Sequence, residues 1–417
     1  MKVSIIGLGY IGLPTAAILA TNKVEVIGVD VNENVVDTIN QGKIHIVEPE
    51  LDILVSNAIE SGYLRAVMQP EKADIFIISV PTPLDENNKP DLNYIESASK
   101  EIAMVLEKGN MLILESTSPV GTTQKMMEWI QEIRSDLNFP VFGKDDSGSD
   151  ISVVHCPERV LPGNVMRELV NNDRIIGGVT IHCAENAREF YKIFVKADCL
   201  ITDCRTAELS KLVENSYRDV NIAFANELSL ICDKLNINVW ELIKLANHHP
   251  RVDILQPGPG VGGHCIAVDP WFIINSVPNQ SRLVRTARLV NNSKPEFILK
   301  KISQAVFETG KKRKELKIAC LGLAFKPNID DLRESPALKI AKEVGLMGFI
   351  KHYLVEPNID KIPKEFDTQN TELVDLRLAL KDSDIVVLLV DHESFKSMDY
   401  TLLSGKQVVD TRGIWTL

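Results

Sequence analysis

No apolar run in the chain reaches the ~18 residues expected of a membrane-spanning helix, so no membrane partner is expected. There is no C-x-x-C pair. The seven cysteines (156, 183, 199, 204, 232, 265 and 320) are odd in number and scattered, which argues against a structural zinc site. Positive charge is also scarce. With 46 Lys and Arg against 57 Asp and Glu, the net charge is −11. Such a surface does not attract nucleic acid, and a phosphate-bearing ligand must be met by local cationic sites. The apolar N-terminal run is broken by Gly7, Gly9 and Gly12, and no cleavage-type segment follows. These absences fit a reducing cytoplasm, where Cys265 stays a free thiol.

The 417 residues allow two or three domains. The first is the most legible. Lys2–Gly7 is a short apolar run of the kind that forms a buried parallel strand. Gly7-Leu-Gly9-Tyr10-Ile11-Gly12 follows and opens a helical pattern, and a second strand ends at Asp30. Strand, G-x-G-x-x-G, helix, strand and acid in this order form a dinucleotide site. The glycines let the backbone reach a pyrophosphate at the helix N-terminus. Asp30 suits a ribose 2′-hydroxyl and repels a 2′-phosphate, so NAD is expected rather than NADP.

The alternation continues through strands ending before Pro81-Thr82-Pro83 and Thr117-Ser-Pro-Val-Gly121. Ligands of doubly wound sheets bind at the carboxyl ends of strands, which puts Thr82 and Thr117 at cofactor level; ordinary helix capping is the other reading. A further strand, Ile151–His155, leads into Glu158, Arg159 and Val160. There a carboxylate and a guanidinium suit catalysis and anion binding, or form a surface ion pair.

From Thr206 to about Leu235 apolar residues recur at 209, 212, 213, 217, 220, 224, 228 and 231, a helical stripe. Lys211, Asn215 and Arg218 fall opposite it, with Glu208 nearby. They form either a solvated face or a site for a phosphate or oxyanion. His248, His249 and Arg251 make a cationic patch; with no further ligand nearby at useful spacing, no metal is expected. Next comes Gly258-Pro-Gly-Val-Gly262-Gly263-His264-Cys265-Ile-Ala-Val-Asp269. Four glycines in six residues permit sharp bends and close approach. The stretch reads as a loop presenting a thiol, or as a tight turn before a buried Cys. A second α/β pattern begins at Leu316 without G-x-G-x-x-G, and its helix is expected to start at the acids Asp330 and Asp331. Phe325 and Lys326 suit a ligand, or are a core Phe and a surface Lys.

Taken together, Gly7–Gly12, Ser116–Thr122, Pro157-Glu158, Lys211-Leu-x-x-Asn215, Gly260–Asp269 and Phe325-Lys326…Arg333-Glu-Ser resemble the UDP-glucose/GDP-mannose dehydrogenase family over essentially the whole chain. The resemblance implies an α/β protein of two doubly wound Rossmann-like domains joined by a central helical segment with a long helix. Residues 1–200 would bind NAD, 201–300 would supply the dimer helix and catalytic loop, and 301–417 would bind the UDP-sugar. It implies four-electron oxidation of a sugar C6 alcohol with two NAD. Cys265 would be the nucleophile, Lys211 and Asn215 would stabilise an oxyanion, and Asp269, Thr117 and Glu158 would handle water and protons. Arg159, Val160, Arg218, His249, Arg251, Gly262, Phe325, Lys326 and Arg412 would hold the UDP-sugar. Arg333 would approach the cofactor, and a homodimer is implied. His264 and the Ile-Ala-Val after Cys265 depart from the pattern of a UDP-glucose enzyme.

Overall fold

The computed structural model describes residues 1–144, 148–161, 163–366 and 369–415. The chain forms two compact units. One is Met1–Glu214 with Trp271–Pro278; the other is Asn215–Pro270 with Asn279–Leu417. The division falls inside one helix, Cys204–Leu235.

The first unit is built on eight strands: β1 (Lys2–Ile6), β2 (Glu25–Val29), β3 (Leu64–Val67), β4 (Ile75–Ile78), β5 (Met111–Leu114), β6 (Ser152–His155), β7 (Arg174–Gly178) and β8 (Cys199–Asp203). Their order is β3-β2-β1-β4-β5-β6-β7-β8. All neighbours are parallel except β6 and β7. Every residue of β4 and β5 is buried, as expected of strands covered by helices on both faces. Chain order reverses between β1 and β4, and this switch point puts the ends of β1 and β4 where doubly wound sheets bind ligands.

The second unit carries β9 (Lys317–Leu321), β10 (Lys351–Val355), β11 (Thr371–Leu373), β12 (Ile385–Leu388) and β13 (Gln407–Asp410), all parallel, in the order β11-β10-β9-β12-β13. It repeats the first turn of the other unit. The Gly7 N–H donates to Val29 O at 2.8 Å, and the Gly322 N–H donates to Val355 O at 2.8 Å. Leu8 N–H reaches Asp30 Oδ2 at 3.0 Å, and Leu323 N–H reaches Glu356 Oε2 at 2.7 Å. Glu356 thus stands where Asp30 stands in the first unit.

The helix expected from the acids at Asp330 starts later, at Pro336, and ends at Gly345. Ser335 caps it, its hydroxyl accepting from Leu338 N–H at 3.2 Å. Asp331 is engaged elsewhere: its backbone O accepts from Phe325 N–H at 3.1 Å, closing an irregular loop, and its carboxylate holds Arg333.

Helix Cys204–Leu235 does not carry a simple solvated face opposite its apolar stripe. Leu209, Val213, Tyr217, Phe224 and Ile231 of the apolar stripe are all exposed, as is Leu235. On the opposite side Lys211 is half-buried and Arg218 exposed, while a polar row is buried: Glu208, Asn215, Asp219 and Asn226. Their spacing of seven, four and seven keeps them on one side of the helix.

Candidate active site

The expected NAD site lies at the end of β1. A side chain on Gly7 would meet Ser79 O at 2.5 Å, and one on Gly12 would collide with Gly7 O. These two glycines let the turn and the helix close up. Gly9 is exposed, and a Cβ there would meet nothing within 4 Å. That space is what a pyrophosphate needs to approach the backbone, so the cradle fits NAD. Asp30 holds the turn with Oδ2 on Leu8 N–H and Oδ1 on Asn32 N–H at 2.9 Å. Tyr10 is exposed and Ile11 half-buried beside it. Thr82 Oγ1 is buried without a hydrogen-bond partner, and the next helix starts only at Asn93. The helix after Thr117 is capped by Gly121. Neither threonine is therefore a helix cap, which removes the bland alternative for both.

Glu158 and Arg159 do not form the ion pair that their adjacency suggested. The Arg159 guanidinium goes to Glu214, with Nη2–Oε1 at 2.6 Å. Val160 packs at the edge of the core. Glu158 is buried and lies 2.8 Å from Arg174 Nη2. Arg174 Nη1 lies 3.7 Å from Glu115, which accepts from the Tyr191 hydroxyl at 2.8 Å. Both carboxylates meet the guanidinium as charge contacts rather than aligned hydrogen bonds. Burial pushes the Glu115 carboxyl up to about 7, with Arg174 opposing the shift. Sequence reading missed Glu115 and Arg174, because nothing local marks a pairing across 59 positions.

In the long helix Lys211 is half-buried and Arg218 exposed. Glu208 caps the helix Thr122–Ile133: its carboxylate accepts from Gly121 N–H at 2.6 Å and from Thr123 N–H and Oγ1, each at 2.7 Å.

Within the second unit, the glycine loop lies against the residues that follow β9. A side chain on Gly262 would meet Glu334 O at 2.5 Å and Pro336 Cδ at 2.7 Å. One on Gly263 would meet the Phe325 ring at 3.0 Å. Glycine is the residue that lets the backbone rest on Phe325. Cys265 is exposed, whereas Cys156, Cys183, Cys204, Cys232 and Cys320 are buried and Cys199 is intermediate. The reading as a buried Cys in a tight turn is excluded. Cys265 O accepts from Val268 N–H at 3.0 Å and Asp269 N–H at 2.9 Å. These bonds form one helical turn leading into the helix Asp269–Ser276, and residues four apart share a helix face. Asp269 is buried, and its Oδ2 accepts from Asn215 Nδ2 at 2.5 Å.

Lys326 is half-buried beside the Phe325 ring. Arg412 is held by Asp391 Oδ1 through Nε at 2.8 Å and Nη2 at 2.7 Å. Arg333 is clasped by both oxygens of Asp331. His249 and Arg251 are exposed, and His249 Nδ1 accepts from Arg251 N–H at 3.3 Å. Among the described residues no group of three or more His, Cys, Asp or Glu is placed to hold a metal ion. Likewise none of the described helices is long and apolar enough to cross a membrane.

Three family models match in succession. Residues 1–195 match the NAD binding domain of the UDP-glucose/GDP-mannose dehydrogenase family, 205–293 its central domain and 319–417 its UDP binding domain. A UDP-N-acetyl-D-mannosamine dehydrogenase of Campylobacter jejuni is 60% identical over 399 residues, covering 94% of this chain and 96% of that one. An NDP-N-acetyl-D-galactosaminuronic acid dehydrogenase of Ralstonia nicotianae is 56% identical over 414 residues, covering 99% and 96%. Among solved structures, a UDP-D-ManNAc dehydrogenase of Pyrococcus horikoshii matches with a TM-score of 0.87 at 37% identity, covering 100% of this chain and 96% of that one. With an NAD cradle in one unit and a UDP binding domain in the other, the chain is an NAD-dependent UDP-sugar dehydrogenase and belongs to the UDP-glucose/GDP-mannose dehydrogenase family.

Proposed function

We propose that the protein oxidises UDP-N-acetyl-D-mannosamine at C6 to the uronate, in two NAD-dependent steps through a covalent Cys265 adduct, as a building block for cell-surface polysaccharide. The observation that carries this reading is the exposed Cys265 one helical turn before the buried, Asn215-held Asp269. Bound NAD supplies the hydride acceptor for both steps. The first oxidation gives an aldehyde. The Cys265 sulfur adds to its carbonyl carbon while the oxygen takes a proton, giving a thiohemiacetal. Loss of the second hydride and that proton gives a thioester, and water then releases the carboxylate and the thiol. A free aldehyde would hydrate or diffuse away, and the covalent bond prevents both. Lys211 and Asn215 stabilise the oxyanion as charge develops. Asp269, Thr117 and Glu158 handle protons and the hydrolytic water. Arg159, Val160, Arg218, His249, Arg251, Gly262, Phe325, Lys326 and Arg412 hold the UDP-sugar, and Arg333 approaches the cofactor. The exposed apolar stripe of the long helix pairs with a second copy to form a homodimer.

The mannosamine reading is supported by the 60% identity of the Campylobacter jejuni relative. The Ralstonia nicotianae relative, at 56%, favours a second reading, the N-acetylgalactosamine sugar. UDP-glucose and UDP-N-acetylglucosamine are the remaining alternatives. Assaying all four UDP-sugars side by side discriminates them, and the N-acetylmannosamine substrate is expected to give the highest kcat/KM. Two NADH should form per sugar acid; one would sink the covalent route. Cys265→Ser should lose turnover and keep NAD binding, and near-normal turnover would remove Cys265 as nucleophile.

A further inference from the structure

The thiol loop is tied to the buried polar face of the long helix at both ends. At its exit, Asn215 Nδ2 donates to Asp269 Oδ2. At its entry, the Gly258 N–H donates to Asn226 Oδ1 at 2.9 Å. The two anchors are eleven residues apart, about three helical turns, and so lie on the same face.

Asn226 does not stand alone. Its Nδ2 donates to Asn291 Oδ1 at 2.8 Å. Asn291 Nδ2 donates to Asp219 O at 3.1 Å and to Asp219 Oδ1 at 2.7 Å. Asp219 Oδ1 also takes Arg288 Nη1 at 2.7 Å, and Arg288 Nη2 donates to Asn292 Oδ1 at 2.5 Å. Asp219, Asn226, Arg288 and Asn291 are each at most 2% exposed.

The chain of bonds has a direction. An asparagine amide offers a donor at one end and an acceptor at the other, whereas an ionised carboxylate offers acceptors only. Asp219, paired with Arg288, forces Asn291 to turn its NH2 inward. That leaves the Asn291 oxygen facing Asn226. Asn226 must then turn its own NH2 toward Asn291, which leaves its oxygen for the Gly258 N–H. Asp219, two residues removed, thus sets through its carboxylate and backbone oxygen which backbone group of the loop can be held.

We propose that Asp219, Asn226, Arg288 and Asn291 are positioning residues that fix the entry of the thiol loop, and through its backbone the presentation of Cys265. The inference rests on the reading of Cys265 as the nucleophile, and it acts through the loop rather than on the substrate. Asp219→Asn removes the charge that pairs with Arg288 and the acceptor-only side chain, leaving the backbone oxygen of residue 219 as the one fixed acceptor facing Asn291. Asn226→Asp, nearly isosteric, sets two acceptors against each other at Asn291.

Both variants are expected to lower kcat about ten-fold, the factor of one buried hydrogen bond, with KM for NAD little changed. The rate of Cys265 alkylation by iodoacetamide, read by peptide mass spectrometry, is expected to shift several-fold, as is hydrogen exchange at the Gly258 amide. A purely structural role would lower the melting temperature and leave kcat and the alkylation rate at wild-type values, which overturns the inference. If Asp219→Asn does not fold, Asn226→Asp carries the same test. In the wild-type protein, free exchange at Gly258 overturns the inference with no variant at all. Alkylation reads loop geometry rather than turnover. If Cys265→Ser proved active, the nucleophile reading would fall while these measurements still decided the positioning.

Discussion

Replacing Glu115 by Gln tests the buried cluster behind Glu158. Burial raises the Glu115 carboxyl from 4.5 to about 7. At ~1.4 kcal/mol per pH unit, that shift corresponds to about 3 kcal/mol of pH-dependent stability. The sign follows from where the proton sits. Below pH 4.5 the group is protonated in folded and unfolded chains alike, and its contribution is fully present. Between 4.5 and about 7 the unfolded chain releases the proton and the folded one keeps it, so stability falls as pH rises. Above the folded value the loss levels off. The amide introduced by Glu115→Gln keeps an oxygen for the Tyr191 hydroxyl and does not titrate. Denaturant unfolding of both proteins, at micromolar concentration to avoid precipitation near the pI of 5.4, should give difference curves that diverge across this window. The variant should be the more stable at pH 8, by up to about 3 kcal/mol, and near parity at pH 4.5. Parallel curves would refute the reasoning. They would mean that Glu115 ionises freely and that Arg174, 3.7 Å away, already neutralises the cost of burying it.

Gly9→Ala should leave the melting temperature unchanged and weaken NAD binding by titration calorimetry, since a Cβ there meets nothing within 4 Å and would fill the space a pyrophosphate needs. Gly12→Ala should lower both, because its Cβ collides with Gly7 O. Glu208→Gln keeps one acceptor for three donors; thermal melts should show about 2 kcal/mol lost from the first unit. If the exposed stripe pairs two copies as proposed, the wild type should run as a dimer by light scattering and Val213→Glu combined with Phe224→Glu as a monomer, at unchanged helix content, because both side chains are exposed in the single chain.

The first unit was legible because its signals are local. Short apolar runs such as Ile75–Ile78, bounded by turn residues, read as buried strands and are so, and the glycine spacing sits in the strand–helix–strand–acid order that points to a dinucleotide. The second unit was legible as α/β but not in its details. Glu356 matches Asp30 in place, yet it lacks the glycine fingerprint that makes Asp30 recognisable. Its carboxylate is occupied by Leu323 N–H, Ala324 N–H at 3.0 Å and His392 Nε2 at 3.1 Å. His392 Nδ1 accepts from Asn328 N–H, which leaves Nε2 as the donor to Glu356. Glu48 was missed for the same reason as Arg174. It is buried and accepts from Gly163 N–H at 2.9 Å and Val165 N–H at 2.8 Å, and a bond across 115 residues leaves no periodic trace.

The long helix shows why hydrophobic periodicity can find a face without deciding its fate. A 3.6-residue period says that the two sides differ. It does not say which one the fold covers. In this helix the polar side is buried because it is polar in a satisfiable way: Glu208 meets three donors, Asn215 meets Asp269, Asn226 meets Gly258 and Asn291, and Asp219 meets Arg288. Buried polar groups are tolerated only when each is partnered. Every partner lies more than 30 residues away in sequence, so no window reveals the match. The clue available in sequence was the spacing of Glu208, Asn215, Asp219 and Asn226, four hydrogen-bonding side chains at seven, four and seven. A solvated face carries long charged residues that tolerate substitution. A row of short amides and carboxylates on one line of a helix is instead what a buried bonding surface requires. Once that row is buried, most of the apolar stripe is left uncovered; Leu212, nearest the row, is the buried exception. An exposed apolar surface on a helix is the kind that marks a protein–protein contact, which is why the proposed homodimer is placed on the stripe.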